Sequence, residues 1–478
     1  MSLPLDGKGA LFQQLARALK SEILDGRYPA GSRLPATRAL ATTLGISRNT
    51  VLTAYELLCA EQLASARPGT GTHVTDATVA GAPKSVRKSI APQSRYSARA
   101  RQLGPKALAA GNSDVRLNFQ GGSPLVRPEL FASWRRKQVA AAPRVGSRYP
   151  PSGGVLALRR AIADYLHRRR GVVCGPEDVL IVGGTQQALT LVARVVVDEG
   201  QSVVIEEPHY QYARHALQAH GARVVGVPVD GCGLVTDELP SRPPRLIYTT
   251  PSHQFPLGVV MSLERRIELL SYAAKHQCWV FEDDYDGEFH YDRRPLAALR
   301  SLDLADRVIY AGSFSKTLFP GLRLGFIVSP QGLRSDLNLA KDLDDQGCSA
   351  IEQIALAAFL ENRQYEKHLR KSLVELRRRR QALLNGLSRH LSDHLEVAPS
   401  YGGMHVVAWF HRLSYNKFER LLVRAAELGL GLYPIHPMYQ SRPPKPGLLL
   451  GFAGLTASQV TDGLAVLASC INEINDSH

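Results

Sequence analysis

The stretch Val308-Ile309-Tyr310-Ala311-Gly312-Ser313-Phe314-Ser315-Lys316 decides how most of this chain folds. Its four leading residues read as a buried strand, and small hydroxyl residues and a lysine follow where the strand ends. A lysine amine in that place can form a Schiff base with an aldehyde cofactor. Two other readings compete: a solvated surface lysine, and the Ser-x-x-Lys of penicillin-binding enzymes, whose companion Ser-Asp-Asn and Lys-Thr-Gly motifs are missing.

Working outward, short apolar runs alternate with helical stretches: Val179 to Val182, Ser202 to Ile205, Arg223 to Val229, Leu246 to Thr249, Trp279 to Asp284 and Leu324 to Val328. That alternation predicts a mainly parallel sheet in an α/β large domain over about 150–345. A long basic helix from Leu369 to His390, then strands at His405 to Phe410 and Leu448 to Phe452, predict a smaller α+β domain over about 360–478.

Groups suited to an anionic pyridine cofactor accompany the lysine. Asp283 and Tyr285 alternate onto one strand face, an aspartate for a ring nitrogen and a phenol for a ring oxygen, while Asp284 and Asp286 are expected to point the other way. Gly183-Gly184-Thr185-Gln186 opens a helix whose first N–H groups can receive a phosphate, and Arg323 adds positive charge. Tyr210 is a candidate to stack on the ring, though a lone tyrosine is more often ordinary packing. His390 and His394 stand at helical metal-site spacing without a third ligand, and Arg377 to Arg380 read as a solvated helix face.

At the other end, Leu11, Leu15, Leu19 and Ile23 mark an amphipathic helix that stops near Gly26. A second helix from Thr37 ends at Gly45, and Ser47 is placed to cap a third. Residues 63–74 read as a hairpin, so residues 1–75 predict a winged helix-turn-helix. Ser47-Arg48-Asn49-Thr50 then opens a recognition helix, with side chains of the kinds that read guanine and adenine edges. The plainer reading is an exposed, capped helix start; Arg67 in the wing tips the balance to DNA.

Composition bounds these readings. With 478 residues, 44% hydrophobic and 21% charged, the chain has material for at least two cores and is neither collagen-like nor disordered. Six cysteines without a CxxC pair argue against zinc ribbons and disulfide frameworks. No run approaches the ~20 apolar residues of a membrane span, and no leader is evident, so a cytoplasmic protein is expected. The formal charge is +15, of which residues 1–75 carry +3 and the Ala-, Ser- and Pro-rich stretch 76–112 carries +6. That stretch reads as a basic linker, and an acidic partner such as double-stranded DNA is expected.

Leu34-Pro35-x-x-Arg38, Leu44-Gly45-Ile46-Ser47-Arg48-x-Thr50-Val51 and Gly69-x-Gly71-Thr72 together resemble the GntR-type winged helix. The resemblance implies that Arg33, Arg38, Arg48, Asn49, Thr50 and the wing around Gly69 and Gly71 face DNA, and from the residues themselves Ser47 and Arg67 are expected there too. Gly184 to Gln186, Tyr210, Thr250-Pro251, Asp283, Tyr285, Ser313-x-Ser315-Lys316 and Arg323, in this order, look like a fold type I, aspartate-aminotransferase-type domain over residues 113–478. Its cofactor is pyridoxal 5'-phosphate (PLP). The fusion is similar to the MocR family of bacterial transcriptional regulators, as are Thr249-Thr250-Pro251-Ser252-His253-Gln254-Phe255-Pro256 and Glu282-Asp283-Asp284-Tyr285-Asp286. It implies Lys316 as the PLP lysine, a head-to-tail homodimer, Tyr149 reaching the neighbour's phosphate, and a regulator with at most partial amine chemistry, not a turning-over enzyme. RNA polymerase is a further expected contact. Aminotransferases place Asn before the Pro where Thr250 stands, and an arginine for the substrate carboxylate where Gly447 to Phe452 offers none. PLP itself, or an amine lacking that carboxylate, is the expected signal; Arg442 and Arg412 are weak stand-ins.

Overall fold

The computed structural model describes residues 3–75, 93–104, 115–291 and 297–476, which fall into two compact units, one before and one after the undescribed stretch 76–92. The N-terminal unit holds α1 (Leu11–Leu24), α2 (Thr37–Leu44), α3 (Arg48–Ala60) and the hairpin β1 (Ala64–Arg67) and β2 (Gly71–Val74). The apolar stripe of α1 does what its spacing predicts: Leu15, Leu19 and Ile23 are buried with Leu40, Val51, Leu58 and Val74 in one small core. Gly45 ends α2 with φ +64°, and the Ser47 hydroxyl caps α3 by accepting from Thr50 N at 3.1 Å. Arg67 pairs with Gly71 at the turn of the antiparallel wing.

The second unit begins with α4 (Arg95–Leu103), which corrects the linker reading. Its Arg99 donates to Ala219 O at 3.0 Å and ion-pairs with Glu199 at 2.9 Å, so this part of the basic stretch is fastened to the body by arginines instead of apolar side chains. An apolar-period search could not see it. Lys84, Arg87, Lys88 and Lys106 lie outside the described residues.

After α4 come β3 (Leu117–Asn118), α5 (Pro128–Ala141), α6 (Leu156–Arg170), β4 (Val179–Val182), α7 (Thr185–Val196), β5 (Ser202–Glu207), α8 (Gln211–His220), β6 (Arg223–Asp230), β7 (Gly233–Leu234), β8 (Leu246–Thr249), α9 (Leu263–His276), β9 (Trp279–Asp284), β10 (Val308–Ser313) and β11 (Gly325–Val328). These eight strands from β4 onward form one sheet in the order β4-β11-β10-β9-β8-β5-β6-β7. From β10 to β6 every pairing is parallel; β11 runs against both neighbours and β7 against β6. Strands such as Val179–Val182 and Leu246–Thr249 are buried throughout because apolar cores cover both faces.

The rest comprises α10 (Arg334–Asp345), α11 (Ala350–Glu361), α12 (Gln364–His390), β12 (Leu395–Val397), β13 (His405–Phe410), α13 (Tyr415–Glu427), β14 (Leu430–Gly431), β15 (Tyr433–Pro434), β16 (Gly447–Gly451) and α14 (Ala457–Asp476). An antiparallel sheet β12-β13-β16-β15 is the centre of the small domain, and β3 and β14 form a separate parallel pair. Two sequence readings change here. Helix α12 stops at His390, so His394 is not its helical neighbour. Arg377, Arg379 and Arg380 are not merely solvated: they donate to the carbonyls of Tyr291, Ala453 and Ser400.

Candidate functional site

Five strand ends open on one rim. β4 runs the same way as β10, because both are antiparallel to the strand between them, so its carboxyl end joins those of β5, β8, β9 and β10. Ligands of open α/β sheets bind at such a rim. The cavity there, about 290 Å³, is lined by Gly184, Thr185, Gln186, Tyr210, Thr250, Asp283, Tyr285, Ser313, Ser315, Lys316 and Arg323. Residues spread over 140 positions of sequence thus meet at one point because each lies at or near a strand end on that rim of the same sheet.

Lys316 donates from Nζ to Gly122 O at 2.7 Å. Burial lowers its amine pKa, against the pull of Asp286 and Asp283, which favours the free amine a nucleophile needs. Asp283 accepts from the Tyr248 hydroxyl at 2.6 Å and from Thr185 Oγ1 at 3.5 Å, and burial pushes its carboxyl up to about 7. The Tyr285 hydroxyl lies 2.8 Å from His253 Nδ1, and burial pushes that phenol well up.

The turn into α7 has Gly184 at φ +117°, and a Cβ there would stand 3.6 Å from the Arg323 guanidinium. Glycine therefore brings the helix start and an arginine together without a side chain between them. Across from it, Ser315 N donates to Ser313 Oγ at 3.1 Å. Gln186 Nε2 donates to Tyr212 O at 3.3 Å, and Tyr210 meets Phe255 edge-on at 5.7 Å between centroids. Thr250 lines the cavity with its hydroxyl already engaged: it donates to Glu206 at 2.6 Å and accepts from Phe255 N at 3.0 Å.

Tyr149, expected to serve a neighbouring subunit's phosphate, is 87% exposed and stands outside this chain's own cavity. Asp286 does line it, contrary to the alternation reading, because β9 ends at Asp284 and the chain turns. Asp284 alone faces away, ion-paired with Arg170 at 2.7 Å. Glu282, which had no assigned role, accepts from Leu299 N and Arg300 N at 2.8 Å each. Arg442 stacks over Tyr415 at 4.4 Å and is not a cavity residue.

Sequence reading missed Tyr248, His253, His405 and the segment Gln120 to Gly122, all at or beside this cavity. Tyr248 is hidden in an apolar run, and nothing local flags Gln120 to Gly122. His253 stood in the quoted Ser-His-Gln-Phe-Pro run.

In the N-terminal unit, Arg33, Arg38, Ser47, Arg48, Asn49, Arg67, Gly69 and Gly71 are exposed and Thr50 is half-buried. Ser47 and Thr50 hydroxyls also meet each other, at 2.8 Å, so both serve the start of α3. Arg48 and Asn49, next to the cap, are free of that duty.

A winged helix joined to an aminotransferase-type sheet defines a regulator class with an enzyme-like body. The family model "Bacterial regulatory proteins, gntR family" matches residues 11–74, and "Aminotransferase class I and II" matches residues 118–430. The chain is 37% identical to the probable rhizopine catabolism regulatory protein MocR of Rhizobium meliloti, over 99% of this chain and 96% of that one. It is 29% identical to the pyridoxine biosynthesis transcriptional regulator PdxR of Corynebacterium glutamicum, over 92% and 91%. Among solved structures, LysN, an alpha-aminoadipate aminotransferase from Thermus thermophilus complexed with N-(5'-phosphopyridoxyl)-L-leucine, matches 80% of this chain and 98% of its own. The TM-score is 0.72 at 29% identity. The chain belongs to the MocR-type regulators, helix-turn-helix transcriptional regulators with a class I and II aminotransferase body. Among the described residues no helix is long and apolar enough to cross a membrane.

The residues present fit PLP. Gly184 leaves open backbone beside a guanidinium, as a phosphate requires. A buried carboxyl pushed up to about 7 is held ionised by a cation beside it, which a protonated pyridine supplies. Lys316 brings an amine of lowered pKa into the same cavity.

Proposed function

We propose that this chain is a PLP-dependent, DNA-binding transcriptional regulator whose body senses PLP or an amino compound. The observation that carries the reading is the meeting of Lys316, Asp283 and the Gly184–Arg323 turn in one cavity, in a chain that also bears a winged helix. When bound, PLP would supply an aldehyde that captures amines and a ring that draws electrons. Lys316 would hold it covalently, Asp283 would hold the ring nitrogen's proton, Tyr285 would bond the ring oxygen and Tyr210 would border the ring. Gly184, Thr185, Gln186, Ser313, Ser315 and Arg323 would receive the phosphate, with Thr250 shaping the wall.

On DNA, Arg48 and Asn49 would meet base edges, while Arg33, Arg38, Ser47, Thr50 and the wing at Arg67, Gly69 and Gly71 would meet the backbone. The working unit is a cytoplasmic, head-to-tail homodimer with Tyr149 serving the neighbour's phosphate site, and contact with RNA polymerase completes the scheme. Ligand exchange would shift the body between states with different DNA affinity. The relatives named for pyridoxine biosynthesis and for rhizopine catabolism are consistent with either kind of signal. Sustained aminotransferase turnover is the second reading, favoured by the likeness to aminotransferases.

The deciding experiment is the visible spectrum of the protein and of Lys316→Ala with PLP, titrated with amines and amino acids, alongside operator binding by each form. A visible band lost on substitution and shifted by one compound, with a matching change in DNA affinity, is expected. Identical DNA binding by the apo, PLP and PLP-plus-amine forms would sink the sensor reading, and steady turnover with a keto acid would replace it by the enzyme reading.

A further inference from the structure

The PLP reading, on which this inference rests, leaves His253 without a task. Its ring is buried beside the cavity between Tyr285 and His405, with centroids 6.0 and 5.4 Å away. Bare backbone forms its slot. A Cβ at Gly403, where φ is +73°, would come within 2.0 Å of the ring, and one at Gly258 would meet Nε2 at 3.2 Å. The slot holds the ring in place, and its polar neighbours Tyr285 and Asp286 decide which nitrogen faces them.

That nitrogen, Nδ1, meets two groups at once: the Tyr285 hydroxyl oxygen at 2.8 Å and the Asp286 carboxylate at 3.0 Å. A carboxylate only accepts, so the proton sits on Nδ1. Were Tyr285 to donate to Nδ1, a bare nitrogen lone pair would face the carboxylate instead. Nε2 is buried with no hydrogen-bond partner among the described residues, so a second proton there would be an unsatisfied buried donor. The Tyr285 oxygen therefore accepts from His253, and its own proton, which here meets the Asp286 carboxylate, can turn to an acceptor in the cavity that Tyr285 lines.

We propose that His253, with its proton held on Nδ1 by Asp286, is a positioning residue that aims the Tyr285 hydroxyl into the cavity as a donor to the cofactor's ring oxygen. The other ionisable groups around this trio are Asp283, Lys316, Glu206, Arg170, His290 and His405. Burial lowers both His290 and His405 to about 4, so they stay neutral near pH 7 and Asp286 is the charge next to the His253 proton.

The test is an absorbance titration of the PLP-loaded full chain against pH, for wild type, Tyr285→Phe, His253→Asn, His253→Gln, Asp286→Asn and the Tyr285→Phe/His253→Gln double variant. Asn carries an amide nitrogen near the place of Nδ1, whereas Gln carries one near Nε2. A ring oxygen that loses its donor holds its proton more tightly, so Tyr285→Phe should move the midpoint up by about 1 pH unit. His253→Gln should follow it, His253→Asn should stay near wild type, and the double variant should match Tyr285→Phe alone; Asp286→Asn also removes a charge that holds the proton near Lys316, so its midpoint should rise less than that of Tyr285→Phe. A structural role would not give this Asn–Gln split. Wild-type titration of His253→Gln, or a further shift in the double variant, would overturn the proposal while leaving the PLP reading intact. Should His253→Gln fail to fold, Asp286→Asn made in the wild-type and Tyr285→Phe backgrounds decides, since an equal shift in both would be the lost charge alone and would overturn the proposal. A wild type that takes no PLP would overturn both.

Discussion

Tyr248 donates its hydroxyl proton to the Asp283 carboxylate across 2.6 Å, where both side chains are buried. The two stand on the adjacent parallel strands β8 and β9, and the Tyr248 ring stacks on Phe281 with centroids 5.6 Å apart. The phenol thereby opposes burial, which on its own drives the Asp283 carboxyl upward. We predict that Tyr248→Phe weakens PLP binding about tenfold near pH 7, the worth of one charge-assisted hydrogen bond. The loss should grow toward lower pH, where the less stabilised carboxylate protonates first. PLP titrations followed by absorbance at several pH values read both, and unchanged affinity would remove Tyr248 from the site.

Asp283 carries a cost that appears without cofactor. Its carboxyl rises from a usual 3.8 to about 7 on folding, chiefly through desolvation. Below the lower value it is protonated in both folded and unfolded chains and contributes nothing. Between the two values the unfolded chain ionises first, so this group erodes stability as pH rises, and the full cost stands above about 7. We predict that apo Asp283→Asn melts a few degrees above apo wild type at pH 8 and level with it at pH 4, while losing PLP affinity at both. Calorimetry of the two apo-proteins checks the first part, and a variant that melts lower at pH 8 would contradict it.

The sheet was legible because its strands are short apolar runs buried on both faces, and such runs bear their own signature. The site was legible where each residue followed a strand end: Gly184, Asp283, Lys316. It was not where residues arrive from elsewhere in the chain. Gln120 to Gly122 reach the cavity only because β3 pairs with β14, a contact between positions 117 and 430 that no local pattern encodes. Helix α4 was invisible for a related reason: it docks through Arg99 on carbonyls and a carboxylate, leaving no apolar period to detect. Alternation misplaced Asp286 because a strand's end cannot be read to the residue.

Arg170 is the hidden brace of the site. From the last residue of α6 it donates to Asp284 at 2.7 Å, to Ser252 Oγ at 2.7 Å and to Gly287 O at 3.4 Å, tying together the loops after β8 and β9. All of this is buried, so removing one partner leaves an uncompensated charge. We predict that Arg170→Met destabilises the body by about 3–5 kcal/mol, and that Arg170→Met with Asp284→Leu recovers part of that loss. Denaturant unfolding of the three proteins measures it. A double variant no better than Arg170→Met would mean that the loop contacts, not the ion pair, carry the energy.

In the N-terminal unit two arginines should fail in different ways. Arg67 lies on the exposed wing turn, where a cation meets phosphate whatever the sequence, whereas Arg48 stands at the exposed start of α3, beside the Ser47 cap. We predict that Arg67→Ala weakens binding to operator and scrambled duplex alike and lowers the salt slope by about 1. Arg48→Ala should cost about 1–3 kcal/mol on the operator and little on the scrambled duplex, because a base contact is lost only where the right base is present. Fluorescence anisotropy across a salt series, on an operator selected from random duplexes by the wild type, separates the two. If Arg48→Ala weakened both duplexes equally, Arg48 would be a backbone contact, and sequence reading by α3 would have to rest on Asn49.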